Sequence, residues 1–86
     1  MVRADVNADI RDFILKIFPR ARKLQVKDDD ALIESGMLDS QGVLEIVHFI
    51  EKRFAITLAD EDLVPEHFQT IERIGAYVEG KINQAA

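Results

Sequence analysis

Ser40 is the side chain best placed for chemistry in this sequence, because it lies where a loop meets an apolar helical segment. Asp39 precedes it, and both side chains carry an oxygen that can accept a hydrogen bond from a free N–H at the start of a helix, an interaction worth about 1 kcal/mol. An N-cap alone would explain the pair. A serine hydroxyl exposed at such a junction is also open to modification, and the residues that follow favour this second interpretation.

Catalysis by the two histidines is not expected. His48 follows Ser40 on the same predicted helix, about 12 Å away at 1.5 Å per residue, whereas a nucleophile and its base need hydrogen-bond contact. His67 follows Pro65-Glu66 in a predicted loop, and neither histidine has an acid and a nucleophile near it in the sequence in a recognisable arrangement. No P-loop, nucleophile elbow or zinc motif is present, and the chain has no cysteine. The sequence therefore predicts a protein that is not an enzyme.

Charge is unevenly distributed along the chain, whose formal net charge is −5. Residues 28–72 contain twelve acids and two bases, a balance of −10, while residues 1–27 contain seven bases and three acids, a balance of +4. Acids around Ser40 repel nucleic acids and anionic membranes, so no nucleic-acid binding is expected. The same acids steer basic proteins toward Ser40. The run at residues 28–30 lacks the alternating spacing of a calcium loop, so no metal site is predicted.

Residues 40–54 have helical periodicity. Counted at 100° per residue, their apolar side chains lie on one stripe and a mixed set lies on the opposite side. The stripe predicts a buried face made of Val43, Ile46, Val47, Ile50 and Phe54. The opposite face begins beside Ser40 and contains Gln41, Leu44, Glu45, His48 and Lys52.

This stretch resembles the acyl carrier protein family. The resemblance extends over roughly residues 4–82, and it is carried by Asp39-Ser40, Gly42-Val43-Leu44-Glu45-Ile46-Val47 and Phe49-Ile50-Glu51-Lys52-Arg53-Phe54. It implies that Ser40 carries a covalent 4′-phosphopantetheine arm, with Asp39 as the adjacent motif residue. It also implies an all-α fold, a small acyl-carrier-like bundle of three main helices plus one short helix, with a long loop between helices one and two.

The resemblance implies partners as well: a phosphopantetheinyl transferase, an acyl- or aminoacyl-activating ligase, and synthase or transferase enzymes. These partners would dock on the exposed face through Gln41, Leu44, Glu45 and His48. Three positions depart from the family pattern. Gln41 stands where the family usually has Leu, Gly42 replaces a common acidic residue, and Lys52 stands where Glu is common. The departures bear mainly on which partners the chain recognises.

The segment before Ser40 predicts one helix and a long connection. Residues 1–18 predict a helix that Pro19 ends, because proline lacks the N–H that a helix interior needs. Its buried stripe is predicted to contain Val6, Ile10, Phe13, Ile14 and Ile17. Residues 19–39 predict a connection with a helical turn over residues 31–34, which Asp30 would cap. Gly36 allows a positive φ, and three apolar residues are expected to pin this connection: Leu32, Ile33 and Leu38.

The segment after Phe54 predicts two short turns and a last helix. One turn begins at Asp60, and Pro65 starts another in which Phe68 faces inward. Thr70 is a good N-cap for the last helix. The buried stripe of that helix is predicted to contain Ile71, Ile74, Gly75, Val78 and Ile82.

Eighty-six residues suffice for one domain with a modest core. The resemblance implies that residues 1–86 are a single carrier domain with its core over about 4–82. No apolar run approaches the length of a membrane span, and the N-terminal segment does not have the pattern of a signal peptide. A cytoplasmic monomer without membrane insertion is therefore expected.

The function expected is that of a stand-alone acyl carrier protein. It would hold an acyl or aminoacyl group as a thioester on the arm at Ser40 and shuttle it between biosynthetic enzymes. The cargo is open among fatty acyl, polyketide, aminoacyl (including D-alanyl) and aryl groups. The departures at Gln41 and Gly42 favour a specialised carrier with a dedicated ligase. The alternative is an unmodified helical adaptor, in which Ser40 only caps the helix and Leu44 anchors a partner.

Overall fold

Four α-helices make up most of the protein. The computed structural model describes residues 3–85, and within them there is no β-strand. The helices are α1 (Arg3–Ile17), α2 (Pro19–Leu24), α3 (Ser40–Phe54) and α4 (Ile71–Ala85), and two 3₁₀ helices, Asp60–Asp62 and Pro65–Phe68, connect α3 to α4. The predicted all-α bundle is confirmed, with α1, α3 and α4 as its three fifteen-residue helices.

One face of α1 forms the centre of the core. Val6, Ile10 and Ile14 are buried, as their spacing predicts, and they pack mainly against α4. Phe13 is half-buried. Ile17 is 41% exposed, so its assignment to the buried stripe is wrong. The reason is that Ile17 borders an open groove between α1 and α3. Residues 1–2 of the predicted first helix lie outside the described residues.

The connection from residue 19 was predicted to be a long loop. Its first residues instead form a short helix, α2. Pro19 stands in the first turn of α2, where a missing N–H leaves no hydrogen bond unmade. The same proline therefore ends α1 and begins α2. Ala21 is buried, and Gln25 ends the helix with φ 53° while its N–H donates to Arg22 O at 3.3 Å.

The rest of the connection is an ordered loop. Leu32 N–H donates to Gln69 O at 2.8 Å, and Leu38 N–H donates to Leu32 O at 2.9 Å. Leu32 and Leu38 are buried and Ile33 is half-buried, so the predicted pinning is confirmed. Hydrogen bonds and buried leucines thus fix the loop on the segment before α4 and hold the chain that leads to Ser40.

Two details of this loop differ from the prediction. The turn spans residues 33–36, with a hydrogen bond of 3.0 Å from Gly36 N–H to Ile33 O, and it is not a helical turn over 31–34. Asp30 does not cap it, because its carboxylate accepts a hydrogen bond from Lys27 N–H at 2.8 Å. Gly36 has φ 78°, the positive value that its position predicts.

The C-terminal elements complete the core. Phe68, in the second 3₁₀ helix, is buried. Thr70 Oγ1 accepts a hydrogen bond from Arg73 N–H at 3.0 Å, so the predicted N-cap is confirmed. The radius of gyration is 11.8 Å, close to the value of about 12 Å expected for a compact chain of this length. None of the helices in the described part of the chain has the length and apolar character needed to cross a membrane.

Candidate functional site

The first turn of α3 holds Ser40 at the surface. Asp39 is extended, with φ −107° and ψ −173°, and its Oδ1 accepts a hydrogen bond from Gly42 N–H at 2.8 Å. Its carbonyl oxygen accepts another from Val43 N–H at 2.9 Å. Asp39 is therefore the N-cap, and Ser40 is the exposed first residue of the helix. Capping does not occupy the Ser40 hydroxyl.

Replacing Asp39 by Ala should lower the free energy of unfolding by about 1 kcal/mol, because Gly42 N–H loses its acceptor. Asp39→Asn keeps a side-chain oxygen at the same place and should retain most of the stability. Urea unfolding of the three proteins measures both changes. Equal stability of wild type and Asp39→Ala would show that the cap contributes nothing.

Gly42 brings the preceding loop close to α3. A Cβ at this position would lie 2.7 Å from Leu38 Cδ1 and 3.1 Å from Phe18 Cε1. Such distances are shorter than ordinary carbon contacts, so the missing side chain lets Leu38 and Phe18 pack directly on the first helical turn. The departure at Gly42 thus has a packing role next to Ser40.

A groove of about 510 Å³ lies beside Ser40. Val43 and Leu44 of α3 line one side of it, and Leu63 and Val64, between the two 3₁₀ helices, also line it. Apart from Asp39 and Ser40, all the side chains that line the groove are apolar. It is therefore suited to an apolar chain more than to a charged ligand.

Comparison with known proteins assigns the chain that forms this site to a family. The family model for the phosphopantetheine attachment site matches residues 8–78, a span that contains Ser40 and the whole groove. The chain belongs to this carrier protein family. Two curated relatives are D-alanyl carrier proteins from Streptococcus suis, strains 05ZYH33 and 98HAH33. Each is 31% identical to this chain over 68 residues, which cover 77% of the chain and 86% of the relative.

Membership confirms the resemblance seen in the sequence, and it means that this carrier bears a covalently attached 4′-phosphopantetheine. The residues at the start of α3 fit such a group. The exposed Ser40 side chain provides a hydroxyl oxygen for the attachment, and the positive end of the α3 dipole favours the negative charge of a phosphodiester. The apolar groove next to it can receive an aliphatic chain.

The predicted docking residues of the carrier lie on the surface of α3. Gln41, Leu44 and His48 are exposed, and Glu45 is half-buried. Leu44 borders the groove that contains Ser40, whereas Glu45 and His48 border a second groove between α1 and α3. The structure therefore places Leu44 on one concave surface and Glu45 and His48 on another, while Gln41 lines neither.

The other candidate groups are engaged elsewhere. The His67 ring stacks on Tyr77 with 4.2 Å between centroids, and its Nδ1 lies 2.9 Å from Asp62 O, to which it donates. Asp28, in the acidic run, pairs with Arg11 at 2.6 Å. Within residues 3–85, no three His, Asp or Glu side chains are grouped so that they could hold a metal ion.

Asp62 connects the first 3₁₀ helix to α4 through contacts that could not be predicted from the sequence. Its Oδ2 accepts a hydrogen bond from Ala59 N–H at 3.1 Å and forms an ion pair with Lys81 Nζ at 3.1 Å. Tyr77 Oη is buried and makes no short hydrogen bond within residues 3–85. The Tyr77 hydroxyl, then Ala59 N–H and Lys81, lower the pKa of the Asp62 carboxyl. Burial, and then Asp62, raise the pKa of Tyr77.

The sequence contains one signal for this cluster. Tyr77 and Lys81 are four residues apart, on one face of the last helix. Nothing in the spacing shows that this face meets Asp62. The cluster matters to the site because Asp62 precedes Leu63 and Val64, which line the Ser40 groove.

Asp62→Asn should lower stability at neutral pH and have little effect in acid. The folded pKa of Asp62 is lower than its unfolded value of about 3.9, so its contribution is complete above that value and is lost as the pH falls through the folded pKa. Urea unfolding of both proteins at neutral and acidic pH gives the comparison. A difference that does not shrink in acid would be inconsistent with this role.

Proposed function

We propose that Ser40 is the residue that carries the 4′-phosphopantetheine group, and that the protein is a non-catalytic carrier of acyl or aminoacyl groups. The observation that supports this most strongly is the exposed Ser40 at the start of α3, with Asp39 as the cap. Ser35, the only other serine, uses its hydroxyl in the preceding turn. Its Oγ donates to Leu32 O at 3.2 Å and accepts from Met37 N–H at 3.4 Å.

The residues of the chain tether and shelter the group. Ser40 Oγ would hold the group through a phosphoester bond. Because Asp39 Oδ1 accepts the Gly42 N–H, the N–H groups of Ser40 and Gln41 would be the helix donors for the phosphate. The apolar groove next to Ser40 accommodates the aliphatic part of the arm or a short cargo. When bound, the group supplies a thiol, absent from this cysteine-free chain, on which the cargo is held as a thioester.

The partners of such a carrier would be a phosphopantetheinyl transferase, an activating ligase and a synthase or transferase. Gln41, Leu44, Glu45 and His48 would form their docking surface around Ser40. Fast and reversible contact suits a shuttle that must release its partner, and charges around the site favour this kind of contact. Residues 28–72, with a balance of −10, would steer basic partners toward Ser40. We expect this exchange to take place in the cytoplasm, with a monomeric carrier.

The cargo favoured is a small acyl or aminoacyl group delivered by a dedicated activating ligase. The two relatives are D-alanyl carriers by name, and this chain spans 86% of their length. Gln41 and Gly42, which depart from the general acyl carrier pattern, support a specialised carrier.

A loading experiment tests the cargo. The phosphopantetheine-bearing protein is incubated with ATP and activating ligases for amino acids, aryl acids and fatty acids. Intact mass is recorded before and after treatment with hydroxylamine, which cleaves thioesters. We expect one aminoacyl or short acyl group that hydroxylamine removes. Efficient loading with long fatty acids only would contradict the cargo and leave the attachment at Ser40 unaffected.

A helical adaptor is the second candidate. Leu44 is 44% exposed beside Ser40, so it could anchor a partner without any prosthetic group. Binding of a partner should then survive Ser40→Ala, whereas the function of a carrier should not.

A further inference from the structure

We propose that the ion pair between Asp62 and Lys81 holds one wall of the groove beside Ser40 in place. That wall is the segment Leu63–Val64, and neither member of the ion pair lines the groove itself. The two charged residues are therefore positioning residues, which act on the groove through its wall. This inference rests on the proposed function, because it concerns the group that the groove would shelter.

The N-terminal end of the wall is attached mainly by polar contacts. The preceding 3₁₀ helix, Asp60–Asp62, has no buried residue, so apolar packing does not hold it. The Asp62 carboxylate instead pairs with Lys81 Nζ at 3.1 Å, and the same oxygen accepts the Ala59 N–H at 3.1 Å. The side chains of the ion pair are only 19% and 27% exposed, so solvent screens their attraction less than that of a fully exposed pair.

The C-terminal end of the wall is attached by burial. Phe68, in the second 3₁₀ helix, is 1% exposed, and the His67 ring stacks on Tyr77 of α4 with 4.2 Å between centroids. His67 Nδ1 also donates to Asp62 O at 2.9 Å, which is a second tie on the same residue. Without Lys81, the C-terminal end should stay in place, and the N-terminal end should open more often around it.

The wall has little burial of its own to resist such opening. Leu63 is half-buried and Val64 is 37% exposed. Segments with few buried apolar contacts open locally at low free-energy cost. Val43 and Leu44 of α3 line the other side of the groove. When the wall moves away from them, an apolar group in the groove loses contacts on one side, so α4 controls how firmly the group is sheltered.

Amide hydrogen exchange of the unmodified carrier tests the attachment of the wall. Lys81→Met keeps an unbranched side chain of similar length and removes the charge. We expect the Ala59 and Leu63 amides, both hydrogen-bonded in the turn that leads to the wall, to exchange about three- to fivefold faster in this variant. The Ile74 amide, which donates to Thr70 O in α4, should exchange within about twofold of wild type.

A loaded carrier tests the effect on the groove. Hexanoyl-phosphopantetheine is transferred from hexanoyl-coenzyme A by a broad-specificity transferase, and intact mass verifies the product. Methyl shifts of Val43 and Leu63 are compared between the phosphopantetheine and hexanoyl forms. We expect these shift differences to be at least halved in Lys81→Met. Absence of the hexanoyl mass would contradict the attachment at Ser40, while exchange in the unmodified protein would still decide whether the ion pair holds the wall.

Two further variants serve as controls. Lys81→Arg keeps the positive charge and should restore wild-type exchange and hexanoyl shifts. Glu79→Gln breaks another ion pair of α4, the one with Arg3 of α1 at 3.2 Å, and should leave both readouts within about twofold of wild type. Wild-type exchange in Lys81→Met, an equal effect of Glu79→Gln, or a uniform rise that includes Ile74 would overturn the proposal. So would faster exchange at the wall with unchanged hexanoyl shifts.

Discussion

Ser40→Ala should gain no mass when it is incubated with coenzyme A, Mg²⁺ and a broad-specificity phosphopantetheinyl transferase. The wild-type carrier should gain one phosphopantetheine group under the same conditions. The reaction needs an oxygen nucleophile at the start of α3, and alanine has none. The variant should fold normally, because the cap at this helix is the Asp39 carboxylate. Intact mass measures the modification, and circular dichroism checks the fold.

The matched control is Ser35→Ala, which removes the only other serine hydroxyl and should be modified as completely as wild type. Modification of Ser40→Ala to the wild-type extent would contradict the assignment. The same variant separates the two candidate functions. An adaptor that works through Leu44 should still bind its partner after the substitution, while a carrier should lose thioester loading completely.

Gly75→Ala should lower the free energy of unfolding by about 2–3 kcal/mol. An added Cβ would lie 1.6 Å from Asn7 Oδ1 and 2.8 Å from Asn7 Cγ, so the asparagine would have to move. Asn7 is 5% exposed, and its Nδ2 donates to Glu72 Oε2 at 2.7 Å. Moving it would break this bond at the α1–α4 contact. For a domain of this size, each kcal/mol corresponds to a fall in Tm of about 4–8 °C.

Gly80→Ala on the same helix is the control for this substitution. Nothing lies within 4 Å of a Cβ at Gly80, which is exposed. Alanine should stabilise α4 there by up to about 1 kcal/mol through its higher helix propensity. Urea and thermal unfolding should therefore both show that Gly75→Ala is less stable than wild type and that Gly80→Ala is more stable. Equal shifts would show that contact between Asn7 and Gly75 does not limit the packing of α1 on α4.

The main helices could be predicted because their apolar residues repeat at helical spacing over fifteen residues. The stripes of α3 and α4 are buried or half-buried as expected. α2 was missed because its six residues contain one buried side chain, Ala21, too few for a periodic pattern. Ile17 was misplaced since periodicity shows which residues share a face and not how far the opposite helix reaches.

The candidate site could be predicted in part. The position of Ser40 at a loop–helix junction followed from the Asp-Ser pair and the apolar stripe after it. The groove beside it could not be predicted, because Leu63 and Val64 reach it across the fold from a segment more than twenty residues away. The Asp62–Lys81 ion pair is equally non-local. The cargo stays open for a physical reason, since the carrier holds it on an arm outside the chain.

Peptide mapping of the modified wild-type carrier is the most direct test of Ser40 as the attachment residue. Cleavage before aspartate places Ser35 in the fragment of residues 30–38 and Ser40 in that of residues 39–59. The added mass should lie entirely on the second fragment, and its fragment ions should assign it to Ser40. The added mass on residues 30–38, or on Thr57 within residues 39–59, would contradict the assignment.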